Sequence, residues 1–280
     1  MKYFTYTFGK CTGLTQIPEE LFAPCNDVES FEGVFSDCEN LLFIPEGLFK
    51  NSNEVISYKS AFSNCKGLTT LPENLFSNGV NVQTFGSTFA TCNSLEEIPA
   101  QLFKNCPSVN SFAATFAGCE NLTSLPADLF ASCSQIEDFD FTFAGCVNIP
   151  SIPENLLSNC SQAKSFSQTF AAWKSLKNIP EGLFASCPEV LTFSTVFGGC
   201  ENLMFTPETL FDNCLKVSEF GGAFAGCVSL QGKTPTTNGV EIWERSLPEN
   251  TAFPDEIYFS GCFSGCTGLE NYAQIPDEAK

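Results

Sequence analysis

Phe85-Gly-Ser-Thr-Phe89-Ala-Thr-Cys92-Asn-Ser-Leu95-Glu-Glu-Ile98-Pro99-Ala-Gln-Leu102-Phe103-Lys-Asn-Cys106-Pro-Ser-Val109-Asn-Ser111 is one unit of a repeat, and Phe112 opens the next. Working outward from it, Cys11, Cys38, Cys65, Cys92, Cys119, Cys146, Trp173, Cys200 and Cys227 succeed one another without a single insertion. A phenylalanine stands three residues before each of them, from Phe8 to Phe224. Four residues earlier runs a second aromatic column, Phe4, Phe31, Tyr58 and onward to Phe220. A leucine or isoleucine comes three residues after the cysteine, then an Ile-Pro or Leu-Pro pair, then Leu-Phe and often a second cysteine, as in Leu129-Phe130-x-x-Cys133.

A constant period of this length is the mark of a solenoid, because one unit cannot bury its apolar face alone and must share a core with its neighbours. The unit splits into two halves, Leu-x-x-Ile-Pro-x-x-Leu-Phe-x-x-Cys and Val-x-x-Phe-x-x-x-Phe-x-x-Cys. Each half predicts a short extended piece and a tight helical turn, since residues three apart share a helical face. Gly13, Asn40, Gly67, Asn121, Asn148, Asn202 and Gly268 stand just after such turns. Gly and Asn accept the left-handed conformation that ends a helix, so these residues are expected there. The expected fold is therefore an α/β repeat: a right-handed solenoid of about nine to ten coils, with two narrow parallel β-sheets and short helical turns. Strands about 4.8 Å apart make a rod roughly 45 Å long. Its 30 phenylalanines should stack as offset ladders in the interior.

The pattern resembles the leucine-rich repeats of the bacterial surface protein A type (BspA-like), found in proteins of gut bacteria and in some of their phages. The Leu-x-x-Ile-Pro run and the Phe-x-x-Cys-x-x-Leu run, for example Phe116-Ala-Gly-Cys119-Glu-Asn-Leu122, carry the likeness from Phe4 to Leu230. The resemblance implies a non-enzymatic adhesion or binding module, extracellular or on a cell surface, with a phage virion as the alternative.

Charge narrows the partners. Asp and Glu number 32 against 13 Lys and Arg, a net −19 that argues against nucleic acid and anionic membranes. No apolar run is long enough to span a bilayer. Histidine is absent, which removes the commonest general base and metal ligand. No nucleophile elbow, phosphate loop or paired metal motif is visible, so no enzyme, catalytic residue, metal or cofactor is expected. Glu137-Asp138-Phe-Asp140 and the glutamates after the prolines read as a solvated acidic edge rather than a calcium loop. The 16 cysteines lie mostly in two inward columns. Stacked thiols pointing the same way from adjacent coils have poor bridging geometry, so buried free thiols are expected.

The chain divides into two segments: a solenoid over 1–230 and an irregular insert with a C-terminal capping coil over 231–280. The insert, about Thr236 to Pro254, carries Trp243 and the turn-prone Asn238-Gly239 and Pro248-Glu-Asn250. Trp243 is either a lid over the last Phe ladder or the wall of a ligand pocket. Phe259, Phe263, Cys266 and Leu269 restore the register. The first coil carries no polar cap, which suggests a segment of a longer chain with neighbouring domains.

The two residues between the buried ends of each extended piece should face outward. On the Leu-x-x-Ile side they change from coil to coil, and Leu42, Phe43, Glu96, Glu97, Met204 and Phe205 are the candidate binding positions there. On the Val-x-x-Phe side a Ser/Thr run, Ser30, Ser57, Thr84, Ser111, Ser165 and Thr192, should form a second outward face. A protein or glycan ligand fits such a display. A spacer without a ligand of its own is the alternative.

Overall fold

In the computed structural model, which describes residues 2–246 and 258–280, the coils lie directly on one another. The Phe8 column is a continuous stack, with Phe89 and Phe116 centred 5.6 Å apart at an interplanar angle of 14°. Phe4 and its successors form a parallel stack, as in Phe85–Phe112 at 5.7 Å. Phe22, Phe49, Phe76, Phe103 and Phe130 interleave between the two, tilted against both, as in Phe76–Phe85 at 4.6 Å and Phe76–Phe89 at 6.1 Å. Offset and tilted ring pairs are the arrangements aromatic quadrupoles favour. Each fully buried ring adds about 1.5–3 kcal/mol of apolar burial.

The sheets and helical turns are a correction. Among the described residues there is no α-helix, and the only named strands are β1 (Thr236–Thr237) and β2 (Val240–Glu241). The Val-x-x-Phe side is a ladder of isolated parallel bridges, from Tyr3↔Ser30 through Ser57↔Thr84 to Thr192↔Glu219. The Leu-x-x-Ile side has a bridge only at Asn178↔Phe205 within the regular coils. One bridge per coil is all that fits, because the chain leaves the extended conformation at once.

Each bridge leads into a ribbon of β-turns. In the coil starting at Phe31, the amides of Val34, Ser36 and Cys38 donate three residues back, to Phe31, Gly33 and Phe35. The intervening amides of Phe31, Gly33, Phe35 and Asp37 donate to the next coil, to Ser57, Lys59, Ala61 and Ser63. Two positions per coil must then take positive φ, as the third residue of a type II turn does. They are the Tyr6–Gly33–Ser60–Ser87–Ala114–Phe141 column and the Lys10–Asp37–Asn64–Thr91–Gly118–Gly145 column. A spacing of three therefore puts Phe and Cys on one inward face without any helix.

The expected left-handed positions are corrected in the same way. Gly13, Gly67 and Gly268 are not among the positive-φ glycines. At Gly67 a Cβ would sit 2.8 Å from the Leu41 carbonyl, and at Gly268 2.6 Å from that of Leu230, so those glycines permit close stacking of backbones. The asparagines of that column stitch coils together: Asn40, Asn148 and Asn202 donate side-chain hydrogen bonds to the carbonyls of Thr12, Glu120 and Lys174, 2.7–2.9 Å away. A second asparagine column does the same, for example Asn105 to Ser77 and Asn159 to Ala131.

The thiols are free, and all but Cys11 and Cys25 are buried. In the first column each buried thiol donates to the carbonyl of a phenylalanine in the preceding coil, as Cys92 does to Phe62 and Cys119 to Phe89, both at 3.2 Å. Trp173 keeps that bond: its indole N–H donates to the Phe143 carbonyl at 2.7 Å. The column thus selects a compact apolar group with one weak donor, and an indole meets the requirement.

At the other end the Asn238-Gly239 expectation holds as a two-residue hairpin. Thr236 and Thr237 pair antiparallel with Glu241 and Val240, and φ is 51° and 78° at the two turn residues. The Pro248-Glu-Asn250 turn lies outside the described residues. Phe263 restores the ladder, 5.5 Å from Phe224 and parallel to it within 1°. The amides of Gly261 and Phe263 donate to the carbonyls of Glu278 and Ala279, so the C-terminal residues take the place of a further coil.

Candidate functional site

The outward residues of the Leu-x-x-Ile side form an exposed strip along the rod. Leu42 and Phe43 are 54% and 46% exposed, and Met204 and Phe205 are 36% and 48%. Glu96 and Glu97 are exposed between them. The same strip carries Thr69, Thr70, Thr123, Ser124, Lys177 and Asn178, all exposed. The structure places these candidates on one face but does not gather them. Leu42 and Met204 are six repeat units apart in sequence, roughly 29 Å at the usual strand spacing. Two apolar pairs therefore flank a polar and acidic middle.

The Ser/Thr run on the other side is corrected. Ser30 is buried, and Ser57, Thr84, Ser111, Ser165 and Thr192 are half-buried. Their hydroxyls accept hydrogen bonds from the amide two residues on, as Ser57 does from Lys59 at 3.2 Å and Thr84 from Gly86 at 3.0 Å. Asp138 takes the same role toward Asp140 at 2.9 Å. Such side-chain turns satisfy an amide that neither the coil's own turns nor its neighbours reach. Deeper still, Thr88, Thr115, Thr142 and Thr169 are wholly buried and donate to a carbonyl of the preceding coil, and the first three also to one of their own.

The family model for a BspA type leucine rich repeat region of 6 copies matches residues 5–142 and again 69–218. The chain belongs to the BspA-type leucine-rich repeat family. Several solved structures are similar. One is the glycosylated Toll–Spatzle complex of Drosophila, at 16% identity and a TM-score of 0.42, covering 96% of this chain and 40% of that one. A leucine-rich repeat protein from Bacteroides ovatus matches at 18% identity and a TM-score of 0.33, covering 82% of this chain and 69% of that one. The T. pallidum leucine-rich repeat protein matches at 22% identity and a TM-score of 0.27, covering 61% and 69%. The chain thus spans less than half of the matched chain of that complex. No curated protein matches the chain.

Trp243 lies elsewhere on this BspA-type chain. It is half-buried and packs edge-on against Phe263, 5.9 Å away at 88°. Beside it, the Arg245 guanidinium lies over the Phe220 ring at 5.3 Å and donates to the Leu215 carbonyl at 3.2 Å. The Tyr258 hydroxyl ties down the same segment by donating to the carbonyls of Ile242 and Arg245. Trp243 is thus far along the rod from Leu42 and Phe43 and does not join their strip.

Among the described residues no group of three or more His, Cys, Asp or Glu is arranged to hold a metal ion. No described helix is long and apolar enough to cross a membrane. Burial pushes the core thiols upward, to about 12 at Cys160 and Cys200, which keeps them protonated and poor as nucleophiles or ligands. Lysines mostly pair across coils with acids, as Lys66–Glu39 at 3.0 Å and Lys164–Glu137 at 2.8 Å. Exposed pairs of this kind contribute little stability. They leave the excess of carboxylates to set the field around the strip.

Proposed function

We propose that the chain is a non-enzymatic interaction module of a surface or virion protein, presenting the exposed Leu-x-x-Ile strip to a protein or glycan partner. One observation carries this reading. The neighbouring Ser/Thr strip is committed to holding turns, whereas the side chains of Leu42, Phe43, Met204 and Phe205 stand exposed on a scaffold that does not need them apolar. Exposed apolar groups on a repeat surface are the usual anchors of a contact. Residues 231–280 act as the closing cap in this reading, with Trp243 as part of the lid. The partner is not a polyanion, since the carboxylate excess would repel it. Further domains of a longer chain and a cell-surface setting fit the family.

The test is a glycan array and a panel of purified candidate proteins probed with the chain and with its Phe43→Ala/Phe205→Ala double variant. Binding that drops about ten-fold or more in the variant supports the strip, since anchor side chains commonly contribute that much. Binding unchanged by the double substitution discards it. The second reading, a spacer that holds another domain away from a surface, is favoured by the polar middle of the strip, and it predicts no ligand in either screen.

A further inference from the structure

The tripeptide Asn-Gly-Val occurs twice, at Asn78-Gly79-Val80 and at Asn238-Gly239-Val240. Glycine after asparagine leaves the following amide nitrogen free to approach the asparagine side-chain carbonyl, because no Cβ stands in the way. The two copies therefore share one local chemistry, and the fold sets them apart. Asn78 is half-buried, and its side-chain amide donates to the Lys50 carbonyl. Gly79 is buried, and its own amide donates to the Phe76 carbonyl at 2.9 Å. A Cβ on Gly79 would stand 2.6 Å from Cys106 Sγ, so the next coil closes over it. Asn238 and Gly239, in contrast, are both exposed at the tip of the hairpin. Among the described residues neither the Asn238 side chain nor the Gly239 amide has a hydrogen-bond partner. Nothing lies within 4 Å of a Cβ placed on Gly239.

We propose that Asn238 is a modification site, converted by water alone to aspartate and isoaspartate, while the coils hold Asn78 intact. Solvent hydroxide takes the Gly239 amide proton, and the nitrogen's electron pair bonds to Asn238 Cγ. The Cγ–Nδ2 bond then breaks, and Nδ2 leaves as ammonia with a proton from water. Water opens the resulting cyclic imide at either carbonyl, leaving aspartate or isoaspartate. At Asn78 the same closure first requires both the Phe76 and the Lys50 bonds to break inside a stacked coil. Isoaspartate routes the main chain through its side chain, one methylene longer. A two-residue turn then no longer sets Thr236 opposite Glu241 and Thr237 opposite Val240. The strain falls on the cap. Glu241 accepts from the wholly buried Thr234 at 2.7 Å and from the Asn271 side chain at 3.2 Å, and these bonds tie the hairpin to the closing coil.

The test incubates the intact chain at mildly alkaline pH in heavy-oxygen water, with a parallel sample in urea, and maps both peptides by mass spectrometry. In the folded chain Asn238 should convert about ten-fold or more faster than Asn78, since two hydrogen bonds must first break at Asn78. In urea the two rates should converge, because the tripeptide is the same. The isoaspartate form, separated by chromatography, should exchange the amides of residues 234–241 and 271 faster than the parent. No conversion at Asn238, conversion at Asn78 as fast or faster, rates that stay apart in urea, or unchanged exchange in the isoaspartate form overturns the proposal.

Discussion

The two outward strips arise from the same repeat and run the same length of rod, yet they are held very differently. On the Val-x-x-Phe side each regular coil makes four backbone bonds to the next, the first of them at the bridge and the rest through its turn ribbon, and a hydroxyl or carboxylate pins a further amide. On the Leu-x-x-Ile side the coil-to-coil backbone bonds are sparse, such as Leu42 to Thr15 and Glu96 to Thr69, and the side chains between the buried ends project outward. The first strip keeps one of its two outward positions mostly to Ser, Thr, Asp or Glu, the residue that holds the turn ribbon, while the other varies from Ile56 to Leu191. The second strip is free to vary because it carries almost none of the stacking.

The largest expected effect lies in what both strips share. Phe116→Ala removes a ring stacked on Phe89 and Phe143 and tilted against Phe103. It should cost about 3–5 kcal/mol in urea unfolding, the usual range for a buried aromatic truncated to Ala. Because each coil contacts only its neighbours, the transition should also broaden as the halves on either side separate. A loss below about 1 kcal/mol would mean the ladder is not a continuous core.

Next comes the turn ribbon. Gly145 has φ 75°, and a Cβ there would meet the Gly118 Cα at an ordinary 3.6 Å, so the objection to a side chain is conformational. Gly145→Ala should therefore cost about 1–2 kcal/mol. Gly13→Ala, with nothing within 4 Å and no positive φ, should cost nothing or stabilise slightly. Equal effects at the two glycines would return the left-handed position to the place the sequence first suggests.

That pair also locates what the sequence could and could not say. The columns of Phe and Cys were legible, because an interior shared by stacked coils forbids insertions and repeats the same side chain at the same depth. The turn ribbon was not, because a spacing of three suits a helical turn and a succession of β-turns alike. Most of its positive-φ residues, among them Ser60, Ser87, Phe141 and Thr195, are not glycine and give no signal. Asn40 and Asn148 looked like helix ends, yet they reach across to the coil before. That contact depends on stacking geometry and not on local sequence. At the candidate site, the exposure of Leu42, Phe43, Met204 and Phe205 could be read from the period. The turn-holding role of Ser57 and Thr84 could not, because a hydroxyl bound to its own backbone reads the same as one facing a ligand.

The contrast between the strips can be measured directly. Ser111 accepts from the Ala113 amide at 3.2 Å and donates to Asp138 at 2.9 Å. Ser111→Ala leaves that amide without its acceptor and should cost about 1 kcal/mol in urea unfolding. Ser124→Ala, on the exposed strip, should stay within about 0.5 kcal/mol. A reversed order would exchange the roles assigned to the two faces. The thiols give a parallel reading: in the native chain Cys11 should react fast with a thiol reagent, Cys25 more slowly, and the rest only on unfolding. Reductant should leave the unfolding midpoint unchanged.

The smallest effect is a pH dependence on the pinned strip. Partial burial raises the Asp140 pKa, and the nearby Asp138 charge adds to the rise, while hydrogen bonds from Ser165 and Ser167 work against it. A carboxyl whose folded pKa lies above its unfolded value binds its proton more tightly in the native state. Its charge then costs stability once the pH has risen through that window, and the cost is absent below the ordinary aspartate range. Asp140→Asn keeps an oxygen to accept from the Ser165 hydroxyl and the Ser167 amide. The variant should therefore unfold at slightly higher urea than the parent at neutral pH, and the advantage should vanish near pH 3, where the parent carboxyl is protonated too. Solvent around this half-exposed group screens the effect, so the neutral-pH gain should be small. An equal gain at both pH values would assign it to packing, and a loss at neutral pH would show that the charge strengthens the Ser165 and Ser167 bonds by more than its burial costs.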